Sequence, residues 1–208
     1  YRLLKSCGLP VPVRMAAASV EEAREAAADI GLPVVLKGKD SAAGAGGVVV
    51  VSEDEAGAVY QQMAAGDAGV IVEGVAAGDR HRLLVVGGGL VAAARLAAGA
   101  GDGPGAADDV TNDVHPATAA AACLAARVVG LDIAGVDLVV GDVAHPLAGQ
   151  GGVITAVQAG PGLVMHTEPA SGEPRPVGRA IVDHLFPDGG SGRIPVVGVT
   201  GSGGTNKV

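Results

Sequence analysis

The chain alternates between segments patterned for helices and short runs of branched apolar residues. Residues 19–31, SVEEAREAAADIG, carry Ser19 and Glu22 as a capping box and Gly31 as a stop, which predicts a helix. LPVVLK follows as a short strand ending in Lys37, then the glycine loop GKDSAAGAGG, then a second strand, VVVVS, that would pair with the first as a hairpin. SEDEAGAVYQQM repeats the helix design, with Ser52 as cap and Glu55 closing the box, and GVIVEGV reads as a third strand. This half thus alternates helix and strand.

The second half continues in the same manner. HRLLVVGGGLVAAAR predicts two strands around Gly87–Gly89, and residues 97–109, AAGAGDGPGAADD, read as a flexible loop without a periodic pattern. HPATAAAACLAARVVG predicts a helix with Pro116 near its start and Gly130 past its end. AGVDLVVGD and GGVITAVQAG predict two further strands, and PVGRAIVDHLF a helix. PDGGSGR then links to a last apolar run, Ile194 to Val199, with a glycine-rich end carrying Lys207.

Composition refines this picture. With 49% hydrophobic residues, 35 glycines and only two Tyr and one Phe, the chain fits an α/β protein of small residues, with room in 208 residues for one large domain or two small ones. The net charge is −8, and no basic run or aromatic platform is present, so nucleic acid is not an expected partner. An acidic protein that binds a nucleotide must gather positive charge locally, which makes single Lys and Arg positions informative. Cys7 and Cys123 are isolated and are expected to be free thiols. LLVVGGGLVAAARLAAGAG is interrupted by glycines and Arg95, so no membrane span is expected, nor does a signal peptide open the chain; the expected location is the cytoplasm. Without an initiator Met, residue 1 is not expected to be a natural start.

Candidate chemistry sits at three places. Lys37 at a strand end, next to a glycine loop, can clamp a nucleotide: the lysine neutralises a phosphate and the loop adds backbone donors. An exposed lysine beside an ordinary hairpin is the plain alternative. Asp137 on one strand, with residues 156 and 158 on its antiparallel neighbour, could share a face and hold Mg²⁺, but Ala156 has no ligand atom and Gln158 offers a neutral carbonyl. The chain end, GSGGTNKV, approaches a phosphate loop, but Asn206 precedes Lys207 and Val208 follows it, where the loop needs Gly and a hydroxyl. Of the five histidines none forms a metal pair; His81 and His166 are the two worth watching.

The stretches GLPVPV, IGLPVVLK, VIVEGVAAGDRHRLLVVGGGLVAAAR, DVTNDVHP, AARVVGLDIAGVDLVV, PGLVMH and RPVGRAIVDHLFP stand in the order found in the cyanophycin synthetase family, which the chain resembles over nearly its whole length. The resemblance implies an ATP-grasp fold of two α+β lobes over residues 1–190, meeting near residues 73–79. GRIPVVGVTG is similar to the family's junction with a Mur-ligase-like domain, so residues 191–208 would be the truncated first strand of that domain. It also implies an ATP-dependent amide ligase that adds aspartate to a cyanophycin-like polymer through an acyl phosphate, with ATP and Mg²⁺ as cofactors and an oligomeric full-length parent. By position, Lys37 would contact ATP phosphate, Gly44, Gly46 and Gly47 would form the covering loop, and Val72 and Glu73 would lie at the adenine. Arg82 and Arg95 would sit near the phosphates or the acidic substrate as catalytic residues; Asp137, with Gln158 as a weak second, would bind the metal.

The departures set a second expectation. Where the family's second metal-binding strand resembles VEVN, this chain has TAVQ; its glycine loop has lost polar and basic members, Val164 stands where the family has Arg, and the segment around 96–109 is short. The alternative is therefore a catalytically degenerate fragment that folds and binds ATP, or an acidic peptide, without ligating.

Overall fold

The computed structural model describes residues 1–39, 47–63, 69–97, 99, 103–187, 190 and 192–193. The expectations for Gly44, Gly46, the last apolar run and the chain end at Lys207 fall outside the described residues.

The elements run α1 (Arg2–Ser6), β1 (Arg14–Ala17), α2 (Val20–Ile30), β2 (Val34–Gly38), β3 (Val48–Val50), α3 (Glu53–Met63), β4 (Val70–Gly74), β5 (Asp79–Val86), β6 (Gly89–Leu96), β7 (Ala107–Asp109), α4 (Pro116–Val129), β8 (Ile133–Val140), β9 (Val153–Gln158), α5 (Val164–Thr167) and α6 (Val177–Leu185). Both capping boxes form. The Glu22 amide donates to Ser19 Oγ at 3.1 Å while the Ala18 amide donates to the Glu22 carboxylate at 2.8 Å. The Glu55 amide donates to Ser52 Oγ at 3.2 Å, and the Val51 amide to the Glu55 carboxylate at 2.9 Å. Each box satisfies two backbone donors that the helix start leaves open. At the far end of α4, Gly130 takes φ +83° and closes the helix.

Two antiparallel sheets result, of order β1-β4-β2-β3 and β7-β6-β5-β8-β9. The chain leaves the first at Gly74 and enters the second at Asp79. Between them Gly78 has φ +128°, and a Cβ there would run into the Val140 backbone, so only glycine fits this crossing. In the first sheet Val34, Leu36, Val70 and Val72 point to one side and pack with Ala23, Ala26, Ala27 and Ala56 of α2 and α3. The small helical residues let the helices lie close. In the second sheet α4 covers one face, where Leu83, Val85, Val136 and Leu138 meet Ala122, Ala125 and Ala126. The other face is covered by α6, through Val177, and by Met165 of α5.

Three differences from the sequence reading stand out. Residues 107–109, assigned to a flexible loop, form β7 and pair with β6 from Ala94↔Asp109 to Leu96↔Ala107. Asp109 explains it: its carboxylate takes donors from Arg175 at 3.1, 3.0 and 2.6 Å, anchoring a polar tripeptide that has no strand pattern. The strand β1 was not foreseen and is held as the edge partner of β4. The short α5 was likewise missed, because a helix of four residues shows no period.

Candidate functional site

A cavity of about 720 Å³ lies between the two sheets. Alternation supplies its walls. On the first sheet the pairings Arg14↔Glu73, Val35↔Glu73 and Lys37↔Ile71 place these five residues on the face turned away from α2 and α3. On the second, Arg82↔Asp137 and Asp137↔Ala156 share the face opposite α4, together with Arg80 and Val139. Arg14, Lys37, Lys39, Glu73, Arg80 and Asp137 are its charged lining residues. Gly47 lines it too, and a Cβ there would collide with Val35, Leu36 O and the Lys37 side chain, so a glycine is needed where the chain comes back against β2.

The first wall centres on Glu73, only 5% exposed. Lys37 Nζ donates to its Oε1 at 3.0 Å, and the Arg14 guanidinium pairs with its other oxygen. The Arg14 guanidinium lies over the Tyr1 ring, 3.0 Å from its centroid. The Tyr1 hydroxyl donates to the Thr155 carbonyl on β9, so this residue bridges the two sheets. Burial, with Glu73 nearby, pushes its phenol up to about 12.

The second wall centres on Asp137, also 5% exposed. Arg82 donates to it from Nε at 2.7 Å and from Nη2 at 3.1 Å, and Gln158 Nε2 donates at 2.6 Å. Ala156 stands directly across the ladder and adds nothing polar. His166 is buried behind this wall with its Nε2 unpartnered; burial first, then the Arg82 charge, lowers its pKa to about 4, so the imidazole is neutral at physiological pH.

The structure brings together Lys37, Gly47, Glu73 and Asp137 at the cavity, with Arg82 bonded to Asp137. Val72 is placed elsewhere: its side chain is fully buried against α2 and α3, on the opposite face from Glu73. Arg95 pairs in register with His81, on the face opposite Arg82. There it donates to Asp108 at 2.9 Å and borders a separate depression of about 260 Å³ with Asp79, Asp113 and Asp142. Sequence reasoning passed over Arg80, Lys39 and Arg14. Arg80 was findable, because DRHR puts residues two apart on one face. Arg14 was not, since β1 carries no alternation signal.

Among the described residues no cluster of three or more His, Cys, Asp or Glu is arranged to hold a metal. Magnesium bound with a phosphate substrate needs one or two carboxylates from the protein. Asp137 meets the lower number, and Gln158 presents its amide nitrogen, not its oxygen, to it.

Two layered sheets around a cationic cleft have known counterparts. Residues 2–81 match the ATP-grasp domain family. The ATP-grasp ligase PsnB, solved with a phosphomimetic variant of its minimal precursor, Mg and ADP, superposes with a TM-score of 0.67 at 19% identity, covering 88% of this chain and 57% of PsnB. The chain has the ATP-grasp fold. A bifunctional glutathione synthetase from Pasteurella multocida shares it, with a TM-score of 0.63 at 17% identity, over 90% of this chain and 36% of that one. In sequence, the cyanophycin synthetase of Nostoc sp. is 46% identical over 100 residues, and that of Synechocystis sp. likewise 46%. These stretches cover 48% of this chain but only 11% and 12% of the relatives. No helix among the described residues is long and apolar enough to cross a membrane.

Proposed function

We propose that the interlobe cavity binds ATP and that the chain is the ATP-grasp part of an amide-forming ligase related to cyanophycin synthetase. The observation that carries this reading is the pairing of Lys37 with a buried Glu73 on one wall, facing Asp137 across the cavity on the other. In this reading Lys37 neutralises a nucleotide phosphate, and Gly44, Gly46 and Gly47 cover it. Glu73 orients the lysine, and the neighbouring linker, with Val72 inside the sheet, borders the base. Arg82, bonded to Asp137, would counter charge that develops on the transferring phosphoryl group; Arg95, on the far face, would act on an acidic substrate outside the cavity. Asp137, with Gln158 beside it, would hold Mg²⁺, which when bound neutralises phosphate charge.

The reaction follows the chemistry of carboxylate activation. A substrate carboxylate attacks the γ-phosphorus of ATP, ADP leaves, and an acyl phosphate forms; an amine then attacks the acyl carbon, phosphate departs and an amide remains. Residues of this chain contribute by fixing the phosphates and excluding water in a cleft where electrostatic stabilisation is strong. Aspartate as the added amino acid, a cyanophycin-like polymer as acceptor, an oligomeric full-length parent and a cytoplasmic location complete the reading.

A second reading is favoured by one observation. Asp137 is wrapped by three nitrogen donors and faces Ala156, so this copy would bind nucleotide without turning it over. Calorimetric titration of ATP with and without Mg²⁺, alongside Lys37→Ala and Asp137→Ala, tests both. Mg²⁺-dependent binding lost in both variants, with aspartate-dependent ADP release, supports the ligase. Binding without release supports the second reading, and no binding by folded protein at millimolar ATP removes both.

A further inference from the structure

The first wall of the cavity carries more positive charge than its own carboxylate can neutralise. Glu73 is shared by two cations, Lys37 and Arg14. Lys39 and Arg80 line the same cavity, whose other carboxylate, Asp137, is already engaged by Arg82. Among the described residues, four cationic side chains line the cavity against two carboxylates, in a chain of net charge −8. A cleft of this kind attracts an anion, and one with several charges, because the surplus exceeds what a single carboxylate would balance.

Arg14 is built for that anion. Its guanidinium carbon lies 3.0 Å from the Tyr1 ring centroid and the group is paired with Glu73, so it is placed before any ligand arrives. Its Nε is buried with no acceptor among the described residues. Its side chain is still 28% exposed, where it lines the cavity. A residue needed only to neutralise Glu73 would not be required beside a lysine that already does so at 3.0 Å.

We propose that Arg14 is an oxyanion-binding residue of the cavity that acts with Lys37 on the phosphate chain of the bound nucleotide. The inference rests on the reading of the cavity as an ATP site. Glu73 is then the brace for two phosphate-facing cations, and Tyr1 the platform that orients one of them.

Calorimetric titration of ATP, ADP, adenosine and aspartate against the chain, Arg14→Gln and Arg14→Lys, each with a thermal melt, tests it. Arg14→Gln should weaken ATP and ADP by about tenfold or more while adenosine changes by less than about twofold; Arg14→Lys, which keeps charge but loses the fork, should fall between. Unchanged ATP affinity in folded Arg14→Gln overturns the proposal. Equal weakening of ATP and adenosine overturns it too, by assigning Arg14 a purely structural role. Loss of aspartate binding with ATP intact overturns the phosphate assignment in favour of a carboxylate. If Arg14→Gln does not fold, Arg14→Lys decides by the same ATP-to-adenosine ratio. If the unmodified chain binds no ATP, the cavity reading fails and this proposal with it; ATP binding lost in Lys37→Ala but kept in Arg14→Gln sinks this proposal alone.

Discussion

Glu73 and Asp137 are the same device built twice. Each is a carboxylate 5% exposed, each sits on a central strand of its sheet, and each is gripped by an arginine. They differ in what is left over. At Glu73 two cations share one carboxylate and both line the cavity, so the wall is open to an anion. At Asp137 one arginine fork and one amide converge on the carboxylate, and Arg82 is itself only 4% exposed. The first wall turns two cations toward the cavity; at the second the donors are turned onto the carboxylate. Ala156, directly across the ladder from Asp137, brings no second carboxylate to it.

The contrast can be broken hardest at Asp137. Asp137→Ala removes the buried carboxylate on which two Arg82 nitrogens and the Gln158 amide converge and should lower stability by about 3–5 kcal/mol, whereas Glu73→Ala, whose cations can turn to solvent, should cost about half that or less. Urea unfolding of both variants measures the difference, and equal losses would erase the distinction between the walls.

His166 sharpens the comparison through pH. Its pKa in the folded chain, about 4, lies below the unfolded value near 6.5, so between these limits the unfolded state binds more protons. The His166 contribution to stability should therefore fall as pH drops from 6.5 to 4, by on the order of 2–3 kcal/mol, and stay constant below. His166→Leu should flatten that part of the pH profile relative to the unmodified chain in parallel denaturant titrations.

Ala156→Glu would set a second carboxylate beside Asp137. A carboxylate directly across from Asp137 should cost roughly 1 kcal/mol without metal, and Mg²⁺ should restore at least that much in a thermal shift that the unmodified chain does not show. The smallest effect belongs to Arg95. Its pair with Asp108 is half exposed, so Arg95→Ala should change stability by less than about 1 kcal/mol. ATP affinity measured by calorimetry should stay within about twofold, since Arg95 lies on the far face.

Much of this was legible because it is local. Ser19–Glu22 and Ser52–Glu55 announce their helices through contacts within four residues. Asp137, Ala156 and Gln158 on one face followed from antiparallel alternation, and the ladder registers them so. Arg82 and Arg95 look equivalent in the sequence, yet pairing with β8 and β7 turns them to opposite faces. β7 itself was hidden because its stability comes from Arg175, 66 residues away.

By itself, then, the sequence determined the order of helices and strands, the face each strand residue would take within its own strand, and the fold those patterns resemble. The tertiary structure decided which charges meet. Arg14, Glu73 and Lys37 lie on three strands, and Arg82, Asp137 and Gln158 on three others. Whether a buried carboxylate faces one cation or two depends on register between distant segments, and electrostatic energy in a low-dielectric cleft depends steeply on that distance. Spacing along the chain carries no information about it.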